Sequence, residues 1–173
     1  MSRFSEHRLL IAILGIPVLL SVGLPLLADL NALPLPAVGA LMLGTVALPF
    51  VLLHILSWTP WVERIVPILH RDLPGTTGGQ SNGLRIVLDP EYTARWFLEH
   101  ELEHTRRTWR WTFLGKWVIK QSERGRIWWE AVAYAAGVNA GRPLDEAARA
   151  MSGHRYDFDV TEDEARAAIS RHL

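Results

Sequence analysis

The chain has no cysteine. A disulfide framework, a cysteine-based zinc finger and a cysteine nucleophile are therefore excluded, and any metal site must be built from His, Asp or Glu. Lysine is nearly absent too: only Lys116 and Lys120 stand against 16 arginines. Neither sign of charge is in excess, since 18 basic residues face 18 acidic ones. That balance argues against a uniformly basic nucleic-acid binder and against an acidic disordered tail. A length of 173 residues suits one domain, or one small domain with an anchor.

Charge is also missing locally. Between Leu9 and Trp58 the only full charge is Asp29. Leu9–Ala28 is uncharged over 20 residues, and Leu35–Trp58 runs for 24 with His54 as its one interruption. A spanning helix needs about 20 apolar residues, and neither run has a polar face. The expectation is a transmembrane hairpin of two helices, about 9–28 and 35–58, turning at Asp29-Leu30-Asn31. Arg3 and Arg8 precede the first run, Arg64 and Arg71 follow the second, and the turn carries no basic residue. The positive-inside rule then puts both ends, and the soluble part, in the cytoplasm. Trp61–His70 is expected to lie along the membrane surface as a helix kinked at Pro67.

Three stretches result: residues 1–58 as membrane anchor, 59–83 as interfacial segment and linker, and 84–173 as a soluble domain. Leu84–Leu88 reads as a short edge strand. Asp89-Pro90 reads as a helix start, with the helix running to about Thr108. Further helices are expected over Trp111–Gln121, Arg126–Asn139 and Leu144–Met151. Thr161 to Glu164 has the pattern of a capping box opening a last helix that reaches about His172. The expected fold is mostly α, a membrane hairpin followed by a small α+β domain. That domain has a short edge strand or hairpin and four to five helices.

The chemistry concentrates in His100-Glu101-Leu102-Glu103-His104, an HExxH motif. Two histidines four apart on a helix point the same way, so both imidazoles can bind one Zn²⁺. Glu101 is then placed to take a proton from a water that the metal activates. At 100° per residue, Phe97, His100, Glu101 and His104 share one arc, between a charged arc and the apolar arc of Leu98 and Leu102. A catalytic zinc needs a third protein ligand. The longer form HExxHxxGxxH is ruled out by Arg107 and Arg110. Glu130 is the best placed candidate, 26 residues after His104 on a helix whose same face carries small Ala133 and Gly137. Buried unpaired, that carboxylate would be costly, and a metal would satisfy it. Glu123, His154, Asp157 and Asp159 are other candidates. For stabilising the oxyanion, Tyr134, His154 and Tyr156 are available.

HExxH followed by a glutamate on a second helix resembles the gluzincin metallopeptidases. HELEHTRR and EAVAY are similar to their membrane-embedded branch, the heat-shock and CAAX-processing proteases and the β-lactam-sensing antirepressor proteases. The resemblance covers about 40 residues, Arg95 to Ala136, together with the anchor architecture. It implies a zincin-like fold for 84–173, zinc bound by His100, His104 and Glu130, and Glu101 as general base. It also implies a peptide or protein substrate and a bacterial or phage-encoded inner-membrane protein. Tyr134 stands where the heat-shock branch usually has an Asp that steadies a ligand histidine.

Between Arg106 and Arg126, seven basic residues are interleaved with or flanked by Trp109, Trp111, Trp117, Trp128 and Trp129. Such a belt suits a lipid surface better than nucleic acid. The expected function is thus a membrane-anchored zinc metallopeptidase. The alternatives are a non-catalytic membrane adaptor with a structural or vestigial metal site, or a lipid-surface module built on this belt. The residues leave the oligomeric state open.

Overall fold

A computed structural model describes residues 35–73, 78–153, 156 and 159–173. The chain divides into two compact units, Met1–Pro67 and Ile68–Leu173. In the first, helix α1 spans Leu35–Leu56 and a single further turn, α2, spans Val62–Ile65. Pro49 lies inside α1 and removes one donor from its hydrogen-bond ladder. At its end, Ser57 Oγ donates to the His54 carbonyl at 2.6 Å and Thr59 Oγ1 to the Leu56 carbonyl at 2.8 Å. Those hydroxyls satisfy carbonyls that a helix end leaves open.

The expected transmembrane hairpin is corrected here. Among the described residues, no helix is long and apolar enough to cross a membrane. The integral membrane location inferred from that hairpin falls with it. Hydropathy over Leu35–Trp58 summed an apolar run, but the folded stretch has Pro49 within it, His54 in its last turn and hydroxyls closing it at Ser57 and Thr59. The first run, Leu9–Ala28, and the turn at Asp29 lie outside the described residues. The surface helix expected over Trp61–His70 is also corrected. Helix α2 ends at Val66, which is extended at φ −74°, ψ 126°, because a residue before proline is pushed out of the α region.

The second unit is helical with a small sheet. Strands β1 (Ile68–His70), β2 (Gly79–Ser81) and β3 (Ile86–Leu88) lie in the order β1-β3-β2. Strand β3 is parallel to β1, with Ile68 opposite Ile86, and antiparallel to β2, with Gly79 opposite Leu88. The segment expected at an edge is therefore the central strand. Ile86 and Leu88 are buried on either side of half-buried Val87, the alternation of a strand covered on one face. In the β2–β3 turn, Gly83 has φ 87°. A Cβ there would meet the Thr108 side chain at 2.5 Å, so only glycine serves.

Four helices follow: α3 (Arg95–Lys120), α4 (Glu123–Asn139), α5 (Leu144–Met151) and α6 (Glu162–Ser170). Asp89 does not open α3. Its carboxylate accepts from the backbone of Leu73 and Glu91, both at 3.0 Å, which ties a turn instead. The two helices expected on either side of Thr108–Trp111 are the two halves of α3, separated by non-helical Thr112 (φ 62°, ψ 167°). Ser122 caps α4, and Thr161 and Glu164 form the capping box of α6. The core below the site joins Ala131 and Ala135 of α4 to Ala147 and Met151 of α5 and to Ala165 and Ile169 of α6. The four alanines let the three helices approach closely around Met151 and Ile169 and leave the other flank of α4 to face α3.

Candidate metal centre

The first half of α3 sorts its residues by face. Glu103 and Arg107 pair at 3.2 Å, as do Glu99 and Arg106, while Leu102 is wholly buried. His100, Glu101 and His104 are buried at 8%, 6% and 8% exposure, and Glu130 of α4 at 6%. Helix α4 brings Glu130 Oε2 to 3.2 Å from His104 Nε2 and 3.8 Å from His100 Nε2, and the two Nε2 atoms are 3.2 Å apart. Bonds of about 2.0–2.1 Å at tetrahedral angles separate ligand atoms by about 3.3 Å. The triangle therefore has the size a bound ion needs. Glu130 Oε2 is buried with only these two imidazoles in reach, and a cation among the three atoms would satisfy them together. His100, His104 and Glu130 thus form a buried group that could hold a metal ion. Among the described residues no fourth protein ligand joins them.

Electrostatics agree with that role. Burial, with the charges of His104 and Arg142, lowers the His100 pKa to about 3, against the pull of Glu130. His100 is then neutral, the form that binds metal. Burial also pushes at Glu130, upward, but the nearby imidazoles of His104 and His100 and the Lys120 ammonium bring it down to about 2, so it is ionised. Burial raises Glu101 to about 7, helped by the charge of Glu130 and opposed by His104 and the two lysines. Aromatic rings from α4 wall both histidines. The Trp129 ring lies 6.1 Å from His104 and within 8° of parallel to it, and Tyr134 meets His100 edge-on at 4.6 Å. Both rings flank Glu130 on its own helix, so one packing event delivers all three.

These residues floor a cleft of about 440 Å³. Strand β2 forms one rim. Ser81 Oγ and Thr105 Oγ1 are 2.7 Å apart and hold it to α3. A Cβ on Gly79 would fall 2.9 Å from Glu101 Cγ and 3.0 Å from its Oε1. Glycine is what lets this strand lie against the carboxylate. Tyr134 and Tyr156 both line the cleft, their hydroxyls 3.0 Å apart. Burial, with the charges of Tyr134 and Glu130, holds the Tyr156 phenol well above its ordinary value, so it keeps its proton.

Not every sequence candidate arrives. Glu123 and Asp159 are exposed and engage each other, the Asp159 backbone N–H donating to Glu123 Oε1 at 3.2 Å. His154 and Asp157 lie outside the described residues. Sequence reasoning missed Lys116, Lys120 and Arg142, which all line the cleft. Lys120 Nζ is 3.5 Å from Glu130 Oε1. In an unbroken helix Lys120 would sit about 24 Å along the axis from His104. The turn at Thr112 brings it back. The available signal was lysine itself, since both lysines of an arginine-rich chain come to this cleft. No protein-family model matches this chain, no curated protein matches it in sequence, and no solved structure matches it in fold.

Proposed function

We propose that this protein is a zinc-dependent metallopeptidase, with His100, His104 and Glu130 as ligands and Glu101 as general base. The observation that carries the reading is the ligand triangle with the buried Glu101 carboxylate lining the same cleft. The donor set, two imidazoles and a carboxylate with no fourth protein ligand among the described residues, suits a catalytic zinc. Zinc in that position supplies Lewis-acid polarisation and lowers the pKa of water to about 7. Glu101 accepts the proton of the attacking water and hands it to the leaving amine. Neutral Tyr134 or Tyr156 donates to the oxygen that gains charge at the scissile carbonyl. Strand β2 offers an extended edge beside Glu101 for aligning a peptide.

Metal analysis of purified protein tests the ligand set. One zinc per chain is expected in wild type, and loss of it in His104→Ala and Glu130→Ala. Glu101→Gln should keep the metal and lose about 10²–10⁴ in hydrolysis rate. Undiminished hydrolysis in that variant would sink the mechanism. A second reading, a non-catalytic protein with a vestigial site, is favoured by one contact. Lys120 already supplies Glu130 with a cation. Under that reading wild type takes up no zinc even when it is supplied.

A further inference from the structure

Among the described residues, four cations line the cleft, Arg85, Lys116, Lys120 and Arg142, against two carboxylates, Glu101 and Glu130. The lysines lie at the His104 end, both about 5.9 Å from the Trp129 ring centroid. Arg142 lies at the His100 end, 5.1 Å from the Tyr134 ring centroid. Three of the four are accounted for by what they touch. Lys120 is taken by Glu130. Arg142 lies 4.2 Å over Trp96, and its Nη2 donates to the Glu146 carbonyl at 3.5 Å. Arg85 is exposed to water. Lys116 is half-buried, and among the described residues it has no ion pair within 4 Å and no hydrogen bond. Its ammonium is partly withdrawn from water and feels Glu130 and Glu101 only from beyond ion-pair distance, so an anion entering the cleft meets a cation that no carboxylate holds.

We propose that this cleft selects peptides that carry a carboxylate, and that Lys116 is the residue that binds it. The choice of a peptide as ligand rests on the peptidase reading; the choice of an anion rests on the cations. A peptide offers that chemistry from two sources, an Asp or Glu side chain or the chain's own C-terminus. Trp129 beneath both lysines makes the subsite apolar on one side, which strengthens the pairing by keeping water away.

Binding to zinc-loaded Glu101→Gln protein tests this without hydrolysis. Four versions of one otherwise neutral hexapeptide are compared, with internal Glu or Gln and with a free or amidated C-terminus. The carboxylate version of the correct source should bind about tenfold tighter than its amide counterpart. Internal Glu preferred with an amidated end identifies the side chain, and the free C-terminus preferred with internal Gln identifies the terminus. Adding Lys116→Gln should cut the preference to within about twofold, and Lys116→Arg should keep most of it. Equal affinity for carboxylate and amide versions, a preference unmoved by Lys116→Gln, or no binding of any version would each overturn the inference. Wild type that hydrolyses neutral peptides without preference would overturn it and leave the peptidase reading standing. Carboxylate-selective binding with no hydrolysis by wild type would do the opposite.

Discussion

Helix α3 is two different stretches on either side of Thr112. Before it, His100, Glu101, Leu102, His104, Thr105, Arg107, Thr108 and Trp109 are all buried, and the Glu99–Arg106 pair lies on the more exposed face. After it, Trp111 excepted by one position, Phe113, Leu114, Trp117 and Val118 are exposed while the lysines turn inward to the cleft. The first half carries the ligands and the base. The second half carries the charge that surrounds them. The comparison teaches that one break in a helix builds a site from two segments that would otherwise lie more than four turns apart.

The break is conformationally costly. Thr112 at φ 62°, ψ 167° sits in a region that only glycine enters freely, at about 1–3 kcal/mol. Its hydroxyl gives something back by accepting from the Gly115 backbone N–H at 3.4 Å, in the manner of an N-cap for the second half.

Three perturbations sharpen the contrast between the halves. The largest effect is expected at the rim facing the first half. Gly79→Ala drives a methyl into Glu101, so hydrolysis should fall by about tenfold or more while bound zinc is retained. Zinc lost along with activity would mean that the strand supports the ligands rather than the base. At the break itself, Thr112→Gly removes the strain and keeps a tolerable cap, and should raise unfolding stability by about 1 kcal/mol. Thr112→Ala keeps the strain and loses the cap, and should lower it by a similar amount. Urea titration reads both; a Gly variant less stable than wild type would show that the hydroxyl outweighs the strain. Away from the site, Thr161→Ala should cost about 1 kcal/mol through the α6 cap, with zinc binding unchanged. Glu164 shares that cap, and hydrogen bonds from the Thr161 backbone and hydroxyl lower its pKa below 4.5. Its contribution is full above pH 4.5 and is lost as pH falls through the lowered value. A pH titration of stability should show the Thr161→Ala loss shrinking in that acid window.

Much of this was legible one helix at a time. HExxH on one arc, the charged pairs beside it, the capping box and α5 all depend on residues within about four positions of one another, where helical periodicity alone decides who meets whom. The membrane reading of Leu35–Trp58 is what the folded chain corrects, since among the described residues no helix is long and apolar enough to cross a membrane. The edge of the sheet was misplaced because Gly79-Gln80-Ser81 has no apolar alternation. It is a strand only through its pairing with β3 and its tether to Thr105.

Composition and helical spacing set the kind of chemistry available: no thiols, two imidazoles and a carboxylate on one helical arc, and a few cations scattered downstream. Only the tertiary structure decided which cations matter. Glu130 reaches the histidines because α5 and α6 press α4 against α3, and Lys116 and Lys120 reach the same cleft because the chain reverses at Thr112. Both events join residues 12 to 30 positions apart, a range over which no periodicity acts and only packing and its hydrogen bonds set the distance.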